Sequence, residues 1–179
     1  MGYEFFHPKF KNVMLEDIQV KDSKKIGKID IYIDCSGSMN SSANIKGDGH
    51  ISRMSFAKSL LYKLKKMDVV NNIFKFNTTI KPVKNDINSI LNIGSGGGTD
   101  LDIVITTIER GDKPAIVLTD ADDYIREYST KAFLLGVADA RFDRMDKPVL
   151  ERYYENKQII VFNGEYVMNL DASGRPIMP

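Results

Sequence analysis

A chain of 179 residues with 25 Lys and Arg against 24 Asp and Glu has a net charge of +1, which gives no general pull toward nucleic acid or an anionic membrane. The length suits one domain able to bury a core without staples. The single cysteine, Cys35, excludes an internal disulfide, and no apolar run is long enough to span a bilayer.

The first 27 residues are polar and Lys-rich, with one apolar stretch over 13–20 that reads as an edge strand. This start lacks the apolar core of a signal peptide, and Phe6 stands where an acylation signal wants Ser or Thr. The expectation is a cytoplasmic protein. Residues 28–34 are rich in isoleucine, as a central strand buried on both faces would be. Residues 39–53, polar and containing Gly47 and Gly49, read as a long loop. From Ser52 the period becomes helical, with Phe56, Ala57, Leu60, Leu61 and Leu64 on one face and Ser52 or Ser55 as the cap.

Residues 69–76 and 79–83 read as an antiparallel hairpin turning at Asn77 and Thr78, followed by a short helix over 85–92. A glycine-rich loop follows, then a helix over 101–110 with Asp100 and Asp102 at its start and Gly111 and Pro114 as stop signals. Strands are expected over 115–120, 132–137 and 158–162, with a helix over 148–156 before the last. The stretch between Asp120 and Ala132 is short for a full helix. Asn163-Gly164 is a strong hairpin signal between 159–162 and 166–170. The fold class predicted is α/β: a doubly wound, mostly parallel Rossmann-like sheet with helices on both faces, one antiparallel edge strand and a C-terminal β-hairpin.

Five oxygen-bearing residues in three places read as one metal site. Asp34, Ser36 and Ser38 lie in Asp34-Cys35-Ser36-Gly37-Ser38, Thr99 follows Gly96-Gly97-Gly98, and Asp120 ends Leu118-Thr119-Asp120. The first and third groups each follow a buried-strand pattern, so both emerge at one edge of a parallel sheet, where open α/β folds bind ligands. Hydroxyl, carboxylate and water oxygens are hard ligands that suit Mg2+ or Mn2+.

This order of Asp-x-Ser-x-Ser, Thr and Asp resembles the metal-ion-dependent adhesion site of von Willebrand factor A domains. The resemblance covers roughly residues 27–163. It implies a single domain over 1–179, with a lead-in over 1–26 and a C-terminal hairpin and tail over 158–179. It further implies that the hydroxyls of Ser36, Ser38 and Thr99 contact the ion, while Asp34 and Asp120 lie beside it or act through water. The function implied is capture of a partner's Asp or Glu carboxylate by the bound cation. Small domains of this family often serve AAA+ ATPases of the MoxR kind, which gives one candidate partner. The hairpin end departs from the family, whose members usually finish with a helix.

Plainer readings stand beside these. Asp34, Ser36 and Ser38 could satisfy local backbone groups, Cys35 reads as an inert buried thiol, and Asp122 and Asp123 as a solvated turn. Residues 94–98 could cradle a phosphate, but no Walker lysine is present and Asp100 and Asp102 oppose it. Glycines there are expected to let the Thr99 loop move. Ile45, Ile51 and Met54 are candidate apolar contacts for a partner, and Met14, Met39, Met54 and Met67 candidate fillers. His7 and His50 share no triad or zinc spacing. A Mg2+-dependent phosphohydrolase using Asp34 or Asp120 is the rival to a binding module, and an assembly protein without metal is a third reading. The motifs supply no phosphate clamp, so no enzyme is expected.

Overall fold

The isoleucine run folds as strand β1 (Ile29–Asp34), whose side chains divide between two cores. Ile29, Ile31 and Ile33 face one buried cluster and Tyr32 the other. This is why the run is apolar almost throughout. The computed structural model describes residues 28–44, 51–164 and 166–178. The strand expected over 13–20, both histidines, Met14, Ile45, Gly47 and Gly49 lie outside the described residues.

Among the described residues, eight strands form one sheet in the order β3-β2-β1-β4-β5-β6-β7-β8. They are β1, β2 (Val70–Phe76), β3 (Ile80–Val83), β4 (Ala115–Thr119), β5 (Ala132–Val137), β6 (Ile159–Phe162), β7 (Val167–Leu170) and β8 (Pro176–Ile177). β2, β1, β4, β5 and β6 are mutually parallel, while β3, β7 and β8 pair antiparallel. The edge hairpin and the C-terminal hairpin are as expected. The two-residue β8, which extends the sheet further, was not.

Helices cover both faces. On one, α1 (Arg53–Lys66) buries Met54, Phe56, Ala57, Leu60, Leu61 and Leu64; each full burial of a large apolar side chain contributes about 1.5–3 kcal/mol. Ser52 caps α1 by accepting the Ser55 N–H at 3.1 Å, and the short α2 (Ile87–Leu91) adds Ile90 to the same core. On the other face lie α3 (Leu101–Arg110) and α4 (Lys147–Glu155), which contribute Leu101, Val104, Ile105, Ile108, Leu150 and Tyr153.

The residues from 120 to 131 form no helix, and carboxylates of α3 and its surroundings satisfy their backbone instead. Asp102 accepts the N–H groups of Arg126 and Glu127 at 2.8 and 3.0 Å. Glu109 accepts from the Ser129 hydroxyl and the Thr130 N–H at 2.7 and 2.8 Å, which hold its carboxyl below the usual range. In return Asp123 accepts the Leu101 N–H at 2.8 Å, satisfying one of the unpaired donors that open α3. Buried or ordered backbone needs such partners, and here side chains replace a helical ladder.

Of the long loop expected over 39–53, residues 39–44 and 51–52 are described, and Arg53 already belongs to α1. The loop opens as a 3-10 turn (Gly37–Asn40), and a bridge between Ser42 and Ser52 closes its base.

Candidate metal centre

Asp34 is the last residue of β1, and Asp120 follows the last residue of the adjacent parallel strand β4. Their carboxylates therefore share the C-terminal edge of the sheet. The Asp34 side chain is wholly buried. Its Oδ1 accepts the Ser36 N–H at 2.9 Å, and its Oδ2 accepts the Thr119 hydroxyl at 2.7 Å. Burial pushes the Asp34 carboxyl up to about 6, a rise that these hydrogen bonds oppose and the nearby Asp120 reinforces.

Asp120 is held by an arginine that sequence reasoning did not single out. Arg53, first residue of α1, donates from Nη1 to Asp120 Oδ2 at 2.9 Å and from Nη2 to Asp139 Oδ2 at 3.3 Å. Its Nε lies 3.1 Å from Asp139 Oδ1 but without the alignment of a hydrogen bond. Asn44 also donates to Asp139 Oδ2, at 2.8 Å. The Asp120 side chain has no solvent exposure and that of Arg53 has 19 %, so the pair is largely desolvated. Asp120 Oδ1 accepts the Asp122 N–H at 3.2 Å. Ala121, immediately after Asp120, adopts a left-handed φ of 57°, an uncommon conformation for a residue with a Cβ.

The hydroxyls are arranged differently. Ser36 Oγ and Ser38 Oγ are 3.1 Å apart. The loop carrying Thr99 is stitched to this turn by backbone bonds from Gly37 N–H to the Gly97 carbonyl at 2.8 Å and from Gly96 N–H to the Cys35 carbonyl at 2.9 Å. A third, from Asp100 N–H to the Asn77 carbonyl, ties its far end to the turn after β2. Two glycines are required by this geometry: a Cβ on Gly37 would stand 3.2 Å from the Gly97 oxygen, and Gly97 has a φ of +78°. Thr99 Oγ1 is buried and has no hydrogen-bond partner.

These residues fit a small hard cation. Two adjacent ligands of an octahedral ion at roughly 2.1 Å stand about 3 Å apart, close to the Ser36–Ser38 separation, a spacing that a hydrogen bond between them also serves. The orphaned Thr99 hydroxyl has no such local account, since a buried donor without a partner costs about 1–3 kcal/mol. The reading in which Asp34 and Ser36 only satisfy local backbone accounts for their mutual bond and leaves Thr99 unexplained. Among the described residues no group of three or more His, Cys, Asp or Glu is placed to hold a metal ion. A cation at this edge would rest on hydroxyls, with two carboxylates behind them.

Other expectations divide. Asp122 pairs with Arg144 at 2.9 Å and Asp123 accepts the Leu101 N–H, so both carboxylates have partners outside the five candidate residues. Cys35 is 7 % exposed and burial raises its thiol, which suits an inert residue. Met39 and Met54 are core residues, and Ile51 packs against the same core. Met54 is 4 % exposed and engaged inside the protein, which corrects its expected role as a partner contact, while Ile51 is only partly buried. Asp100 caps α3 through a bond from the Ile103 N–H at 3.1 Å. No signal in the chain could have flagged Arg53, because its carboxylate partners lie 67 and 86 residues away.

No family model matches the chain, and no curated protein sequence matches it. Among solved structures, a von Willebrand factor type A structure from Catenulispora acidiphila is similar at 17% sequence identity with a TM-score of 0.45. The match covers 75% of this chain and 38% of that one, so this chain spans well under half of that structure. A likeness of this size adds nothing to the residue assignments above. No helix among the described residues is long and apolar enough to cross a membrane.

Proposed function

We propose that this chain is a divalent-cation-dependent protein-binding module whose site is formed by Ser36, Ser38 and Thr99, with Asp34 and Asp120 behind them. The observation that carries this reading is the buried Thr99 hydroxyl, left without a partner on a loop stitched to the Ser36–Ser38 turn. Bound there, Mg2+ or Mn2+ would supply a positive charge that neutral hydroxyls do not cancel, available to an Asp or Glu side chain of a partner.

The chain's own residues set how that charge is felt. Thr119 and the Ser36 amide hold Asp34 in place, and Arg53 already neutralises Asp120. The three hydroxyls are neutral and only one of the two carboxylates behind them faces a counter-charge, so a bound ion keeps part of its charge for a ligand from outside. Charges at contact are worth about 1 kcal/mol in bulk water and about four times that near a protein surface, so a partner must also exclude water. A MoxR-type AAA+ ATPase is the partner class that the family resemblance suggests.

Calorimetric titration with Mg2+ and Mn2+, run beside Asp34→Ala, tests the reading. One-site binding that the variant loses is the expected result. Equal heats in parent and variant would overturn it.

A further inference from the structure

On the hairpin beside the cation site, Lys75 of β2 and Lys81 of β3 are directly opposed partners in antiparallel register. Side chains so placed lie on one face of the sheet with Cβ atoms about 5 Å apart, and like charges there repel. Lys28, Lys58, Lys65 and Lys131 each find an oxygen acceptor. Lys75 and Lys81 find none among the described residues. Both line a pocket of about 140 Å³, together with Cys35, Asn77, Thr79, Gly94 and Gly96. At about 30 Å³ per water that is room for about five waters, enough for an oxyanion.

The pocket is lined by chain neighbours of the candidate metal centre and by none of its five residues. Cys35 sits between Asp34 and Ser36, and Gly94 and Gly96 belong to the loop that runs on to Thr99. We propose that Lys75, Lys81 and the glycine loop form a carboxylate-binding pocket that takes a second acidic side chain of the partner whose first carboxylate reaches the cation. The unpaired, mutually repelling lysines give the pocket its charge, and an incoming carboxylate relieves that repulsion while gaining charge-assisted hydrogen bonds. A partner would then be read as an acidic cluster, not as a lone Asp or Glu. The choice of a partner carboxylate as occupant rests on the cation-site reading; the anion pocket itself does not.

The test uses the full chain, 15N-labelled, titrated with glutarate and separately with inorganic phosphate in the presence of a chelator. Saturable shifts of the Gly94 and Gly96 amides with glutarate, abolished in Lys81→Glu, are expected. That variant folds at least as well as the parent, because it converts a repulsive cross-strand pair into an attractive one. A thermal melt checks this, and Lys75→Gln with Lys81→Gln is the second variant. With Mg2+ present, a tetraglutamate peptide should bind the double variant about tenfold more weakly than the parent, the loss of roughly one charge-assisted hydrogen bond. Glutarate shifts that persist in both variants, or shifts with phosphate and none with glutarate, would overturn the proposal. Glutarate binding under chelator in a protein that takes up no Mg2+ would sink the cation reading and leave the carboxylate pocket standing.

Discussion

The two halves of the candidate metal centre are built on opposite terms. Both carboxylates arrive with their oxygens engaged: Asp34 by the Ser36 amide and the Thr119 hydroxyl, Asp120 by Arg53 and the Asp122 amide. The hydroxyl half is under-satisfied, with Ser36 and Ser38 facing one another and Thr99 paired with nothing. Bonding capacity is thus taken up on the carboxylate side, where Asp120 alone has a counter-charge, and left over on the hydroxyl side. A site so divided is suited to a weakly held cation whose coordination is finished by a partner, and poorly suited to a tight structural ion, which needs more carboxylates.

Breaking the engaged half has the largest expected effect. Arg53→Met removes the cation from the buried Asp120 and leaves that carboxylate unpaired, which should cost about 3 kcal/mol in chelator, toward the lower end for broken buried pairs because Arg53 retains some exposure. Added Mg2+ should restore more stability to this variant than to the parent. Urea unfolding with and without the ion measures both. Loss below about 0.5 kcal/mol would mean that Arg53 does not neutralise Asp120 in solution.

Titration of Asp34 sharpens the same half. Its folded value near 6 lies above the ordinary 3.8, so the folded state binds the proton more tightly than the unfolded chain. The associated stability is whole below about pH 4 and is lost as pH rises through about 6, an effect of about 3 kcal/mol. Asn is a stand-in for the protonated side chain. In chelator, the stability of the parent relative to Asp34→Asn should therefore fall between pH 4 and pH 7. A flat difference would show that Asp34 is not held in so dry a setting. A smaller effect is expected outside the site: Asp123→Ala removes the bond to the Leu101 amide and should cost about 1 kcal/mol, with Mg2+ affinity unchanged in the titration.

Much of this frame was legible in the chain. The isoleucine run of β1, the apolar β4 and β5, the spacing of Phe56 to Leu64 and the Asn163-Gly164 turn each carry a local pattern that burial enforces. The same patterns put Asp34 and Asp120 at one sheet edge. Residues 120–131 were opaque because Asp102 and Glu109 satisfy that stretch from about 20 residues away while its own Asp123 accepts the Leu101 N–H in return, which no periodicity records. β8 is too short to have a pattern. Arg53 sits where a polar loop meets a helix, and its role depends on Asp120 and Asp139, which only the closed sheet brings to it.

Thr99→Val tests the central claim most directly, because it replaces the orphaned hydroxyl with a methyl of the same shape. Chelator unfolding and calorimetric Mg2+ titration on this one variant should move in opposite directions. Removing a buried unsatisfied group is expected to stabilise the protein by about 1–2 kcal/mol, while Mg2+ affinity falls at least about tenfold. A variant that loses stability and binds Mg2+ as the parent does would contradict the assignment of Thr99 as the oxygen kept free for a cation.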